Sequence, residues 1–182
     1  MSAWQRRLRL VVSVGLGLGL GSCGGTASTT IASEPARLGG IGFDVPAGWQ
    51  RADYQQPNER ISIWTPGDNA RKESITVIES RAVGARLDDP RLKKLLSGAQ
   101  QALHGARTSQ VSPVATEVGL AGFQIEVEFT PSATMPRYRR THVVLRTEPG
   151  GLVHVIYTAR TPDPDREVLE TVLSTVHPEV AS

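Results

Sequence analysis

The stretch HVVLRTEPGGLVHVIY, residues 142–157, decides the fold. Two runs rich in aliphatic and β-branched residues flank Glu148-Pro149-Gly150-Gly151, a cluster of the kind that breaks a chain into turns. The stretch therefore reads as a hairpin, and a short connection makes its two strands antiparallel neighbours. Both runs are apolar at consecutive positions, so each face of the strands needs cover. If Thr147 stands opposite Leu152 across a four-residue turn, His142 faces Tyr157 and Leu145 faces His154. Side chains alternate along a strand, so the two histidines would then point to opposite sides. A shared histidine site would need an odd-length loop.

More strands lie on either side of this hairpin. Upstream, residues 122–130 and 137–147 read as strands joined by the loop Pro131–Pro136, and residues 110–118 as another. Nearer the start, residues 41–45 alternate up to Pro46, residues 49–54 follow Ala47-Gly48, and residues 60–64 alternate cleanly. Residues 74–80, SITVIES, are dense in β-branched side chains. Two helices interrupt the strands. The first opens at Asp89-Pro90, which supplies a cap and a favourable first position. Leu92, Leu95, Leu96, Ala99 and Leu103 line one face, and Gly105 ends it. The second opens at Asp163-Pro164, with Val168, Leu169, Val172, Leu173 and Val176 on its apolar face. Each apolar stripe needs a sheet to bury against. The expected class is α+β: an antiparallel sheet with helices on both faces, an α/β/α sandwich.

The N-terminus has a different logic. Arg6, Arg7 and Arg9 precede a short apolar run from Leu10 to Leu20, the layout of an export signal. The run is too short for a membrane span, which takes about 20 apolar residues. Leu20-Gly21-Ser22-Cys23 resembles the lipobox of bacterial lipoproteins. That resemblance implies a signal peptide over residues 1–22, cleavage before Cys23 and acylation (palmitate among the chains) of Cys23. The chain would then be lipid-anchored to the cell membrane or outer membrane, facing periplasm or exterior. Stable anchoring takes more than one acyl chain, at roughly 0.8 kcal/mol per buried CH₂. Residues 23–37 are small, polar and non-periodic, which predicts a flexible tether spanning on the order of 20 Å. Residues 38–182 then form a single domain.

Within that domain GFDVPAGW, the glycine-bounded GFQIEVEF and the ending GGLVHVIYTA…LETVLSTV resemble the Mog1/PsbP-like lipoproteins, of the DcrB and mycobacterial Lpq types. The resemblance implies an accessory or protein-binding domain without catalytic residues.

Charge and chemistry narrow the function further. The chain holds 20 Lys+Arg against 18 Asp+Glu; three of those basic residues and no acid precede Cys23, so the mature chain stands at 17 against 18. Net charge gives no case for nucleic-acid binding. Cys23 is the only cysteine, so its acylation leaves no thiol for a disulfide, metal or catalysis. No nucleophile elbow, nucleotide fingerprint or short metal-ligand spacing is present. Ser62, Ser80 and Ser174 sit in ordinary strand or helix contexts. The chain is therefore expected to hold no catalytic residue, no cofactor and no metal.

Arg137, Arg139, Arg140 and Arg146 form the main charge cluster. Pairing Thr130 with Arg137 sets Glu128 opposite Arg139, a cross-strand pair worth only about 0.2–1 kcal/mol. Arg137 and Arg139 share one face, Arg140 and Arg146 the other. Trp49, Trp64, Arg139 and Arg140 are the candidate interaction surface, although large aromatics are more often core. The function expected is a non-catalytic envelope lipoprotein that binds a protein partner. The alternatives are a carrier or sensor of a small or lipidic ligand, which needs a cavity between sheet and helix, and a hydrolase.

Overall fold

The structure is a computed structural model that describes residues 31–67, 73–80, 89–98, 103, 105–132, 134–147, 151–161 and 166–179. The export signal, Cys23, the first part of the expected tether and Asp163-Pro164 lie outside the described residues.

The described chain is α+β and mostly sheet. A small sheet runs β1 (Ser33–Leu38), β2 (Ile41–Pro46), β11 (His177–Pro178). The main sheet is eight-stranded. Its order is β3 (Gln50–Gln56), β4 (Glu59–Thr65), β5 (Ser74–Ser80), β10 (Gly151–Arg160), β9 (Tyr138–Thr147), β8 (Ala121–Phe129) and β6 (Arg107–Thr108), with β7 (Ser112–Ala115) also paired to β8. All these pairings are antiparallel. Two helices of ten residues each accompany them, α1 (Asp89–Gly98) and α2 (Arg166–Thr175). No helix among the described residues is long and apolar enough to cross a membrane.

Alternation sorts the core of β9 into two clusters. Val143 and Leu145 pack with Val153, Val155, Phe43 and Trp64, and with Val168, Val172 and Val176 at the chain's end. Val144, between them in sequence, packs with Phe123, Ile125, Leu152 and with Leu92 and Leu96 of α1. The expected apolar face of α2 is therefore the buried one. Leu169 and Leu173 sit at its margin, partly buried. Gly122 is a site of close approach, since a Cβ there would collide with the Val144 carbonyl. Gly105 carries a positive φ of 66°, which suits a chain turn after α1.

Two expectations are corrected. Residues 33–37, expected as tether, belong to β1. Only Ala36 and Leu38 of that strand are buried, so alternation is confined to its last three residues and Ser33–Pro35 carry none. Pro35 is tolerated because β1 is an edge strand. The second correction is the register of the opening hairpin. Gly151, not Leu152, stands opposite Thr147, so three residues lie between the paired positions. A shift of one position turns every side chain of a strand to the other face, and His142 and His154 come to the same side.

Candidate functional site

Two places on the main sheet gather polar groups, one on each side of β9. The first is the histidine pair that the corrected register creates. His142 Nδ1 lies 3.0 Å from His154 Nε2, with ring centroids 5.2 Å apart. His142 is buried. Burial, reinforced by the Arg140 charge, pushes its pKa down to about 4. Burial, then the His142 charge, pushes His154 down to about 3. Both rings are neutral at pH 7, so one nitrogen donates across the contact and the other accepts. Among the described residues no group of three or more His, Cys, Asp or Glu is arranged to hold a metal ion.

The second place is a recess of about 220 Å³ between α2 and strands β8, β9 and β10. Thr141 and Tyr157 lie at its base, and Gln124, Glu126 and Arg139 line the sheet side. Arg166, Leu169, Glu170 and Leu173 close it from the helix. Arg139 donates through Nη2 to Glu128 at 2.9 Å, and Arg137 Nη1 reaches the same carboxylate at 3.8 Å. The expected pairing of Glu128 with Arg139 is the observed one.

The four residues expected as one interaction surface are not brought together. Trp64 is core, 2% exposed, edge-on to Phe43, so it offers no surface. Trp49 is partly buried against the same cluster. Arg139 lines the recess. Arg140 lies on the opposite side, its guanidinium 4.9 Å over the Phe129 ring and its Nε donating to Thr158 Oγ1 at 3.1 Å. The serines named from sequence also have partners: Ser62 donates to Asp53, Ser80 to Glu59 and Ser174 to the Thr171 carbonyl. Burial raises the Asp53 pKa, but bonds from Ser62 and Arg51 outweigh it and hold the carboxyl below its ordinary value.

Sequence reasoning missed Tyr54. It lies on β3, whose seven residues are all exposed, and is itself 57% exposed. β3 ends the order of the main sheet, so its outer backbone edge has no strand beside it among the described residues. Only the sheet order, which the sequence does not state, marks β3 as an edge.

No family model matches the chain, and no curated protein does. Among solved structures, the chain is similar to LpqN, involved in cell envelope biogenesis of Mycobacterium tuberculosis. That match has 16% identity and a TM-score of 0.44, over 81% of this chain and 91% of that one. It is also similar to a Pseudomonas aeruginosa protein of unknown function, with 12% identity and a TM-score of 0.41, over 71% of this chain and 83% of that one.

Proposed function

We propose that the chain is a lipid-anchored cell-envelope protein whose domain works by binding a protein partner and carries out no chemistry. The anchor rests on the Leu20-Gly21-Ser22-Cys23 signal. The architecture is read as a three-layer Mog1/PsbP-like domain, with α1 on one side of the main sheet and α2 with the small sheet on the other. The observation that carries the binding role is the edge at β3, which no strand covers among the described residues. An unpaired strand edge presents N–H and C=O groups to which an extended segment can add. Tyr54 supplies a large amphipathic contact beside them, of the type enriched at interfaces. Its cross-strand neighbour Ile61 is part-exposed too.

A photo-crosslinking residue at position 54 in intact cells, compared with one at the exposed position 118, tests the role. A discrete protein adduct from 54 and none from 118 is expected, and equal labelling from both positions would sink the reading. The anchor is tested separately. Cys23→Ala is expected to leave the chain uncleaved or released from the membrane with the domain still folded. Normal processing and membrane retention of that variant would refute the lipobox.

The recess under α2 favours a second reading, the capture of a small ligand. Its volume of about 220 Å³ is below the roughly 300–1,000 Å³ of sites for drug-sized molecules. Its lining carries Glu126, Arg139, Arg166 and Glu170, which suits a small polar ligand better than a lipid chain.

A further inference from the structure

The arginine cluster divides by how its charges are answered. Glu128 answers Arg137 and Arg139, and Asp89 answers Arg146 at 2.6 Å. Arg140 makes no ion pair among the described residues. Its two contacts are the Thr158 hydroxyl and the face of Phe129, and neither neutralises a part-buried guanidinium. Withdrawal from water lowers its pKa.

On the same side of β9, two residues along, His142 is 4% exposed. Its Nε2 is buried and has no hydrogen-bond partner among the described residues. Its other nitrogen is occupied by His154. When His154 Nε2 donates across that contact, the proton of neutral His142 must sit on Nε2, which leaves a buried N–H with nothing to accept it. A buried unmet donor costs roughly 1–3 kcal/mol. An unanswered cation and an unanswered donor stand about 7 Å apart along one strand face, two rises of a β-strand. Both lack the same thing, an acceptor with negative charge. Arg140, His154, Ile156 and Thr158 are each part-exposed, so the row opens to solvent.

We propose that Arg140 and His142 form a binding site for a phosphate-type oxyanion on the α1 side of the main sheet. A tetrahedral oxyanion offers acceptor oxygens in several directions at once, toward a guanidinium and toward an imidazole N–H. Binding fixes the tautomer pair as His154 Nε2–H donating to His142 Nδ1, and His142 Nε2–H donating to the anion. On the opposite face of β9 the Arg139 charge is already answered by Glu128, and Glu126 lies beside it.

The test is a titration of the full chain in neutral detergent, followed by ring-nitrogen NMR of the histidines. The probes are inorganic phosphate and soluble dihexanoyl phosphatidylglycerol. A saturable shift of His142 Nε2 is expected, and Arg140→Gln is expected to weaken binding about tenfold, as loss of a charge-assisted hydrogen bond does. Arg140→Lys should keep part of the affinity, and Arg37→Gln on the small sheet, where the arginine pairs with Glu179, should leave it unchanged. Saturation by phosphate alone assigns the site to a soluble ion. Tighter binding of the lipid, displaced by phosphate, assigns it to a headgroup. Failure of both probes to saturate, or undiminished binding in Arg140→Gln, overturns the proposal.

Discussion

Strand β9 presents two different surfaces from adjacent residues. Val143 and Leu145, both 0% exposed, belong to a continuous cluster that joins the main sheet, the small sheet and α2. Val144 points the other way and belongs to a separate cluster with Phe123, Ile125 and Leu152, and His142 and Arg140 occupy the next positions along that face. The first surface satisfies itself by burial of apolar area, at about 25 cal/mol per Å². The second carries His142, buried from water, and Arg140, part-exposed and without an ion pair among the described residues. Apolar burial dominates the first side, although Arg139 Nε there is buried without a hydrogen-bond partner among the described residues, and polar groups dominate the second.

The sharpest way to break that contrast is to put a charge into the first side. Val172 of α2 is 0% exposed. Val172→Asp buries a carboxylate with no partner, which costs several kcal/mol, comparable to the 5–15 kcal/mol that holds a domain together. The variant is expected not to fold, as read by loss of the cooperative thermal transition. Leu173→Asp, one residue on, is expected to melt lower but still cooperatively, because Leu173 lines the open recess. Equal damage at 172 and 173 would show that α2 is embedded more deeply than its one buried stripe implies.

That stripe was legible in the sequence, as was the strand at Ser74–Ser80, because both follow strict periodicities of burial. The pairing of Glu128 with Arg139 was legible too. The histidine pair was not. Glu148-Pro149-Gly150-Gly151 announces a turn without stating whether Gly151 belongs to the loop or to the strand, and that single residue sets the face of everything after it. Strand β1 escaped for another reason. Residues Ser33–Pro35 are exposed, so hydrogen bonding to β2 makes the strand without leaving a hydrophobic trace.

The histidines sharpen the comparison through pH. Unfolded imidazoles protonate near their ordinary value of 6.5, whereas burial holds His142 at about 4 and His154 at about 3. Between these values the unfolded chain binds more protons than the folded one, so stability rises with pH across the window. The contribution is fully present above about 6.5 and is lost as pH falls toward 4 and then 3. Urea midpoints are expected to drop between pH 7 and pH 5 in the native sequence. The double variant His142→Leu/His154→Leu is expected to drop less, since it removes both partners together and leaves neither nitrogen stranded. Parallel pH curves for the two proteins would mean that the rings protonate without cost and that this face is wetter than its burial indicates.

The smallest effect belongs to Arg139. Its pair with Glu128 is partly open to water, with side chains 25% and 31% exposed, and screened pairs of this kind contribute about 0.2–1 kcal/mol. Arg137 also reaches Glu128, so removing Arg139 leaves the carboxylate one cation and not none. Arg139→Ala is therefore expected to cost at most about 1 kcal/mol in chemical denaturation. A double-mutant cycle with Glu128→Ala isolates the pair from the packing of the arginine stem against the recess. A coupling well above 1 kcal/mol would mean that the recess is drier than it looks. The division of β9 into a mainly apolar side and a polar side would then have to be redrawn, with Arg139 counted among the buried charges.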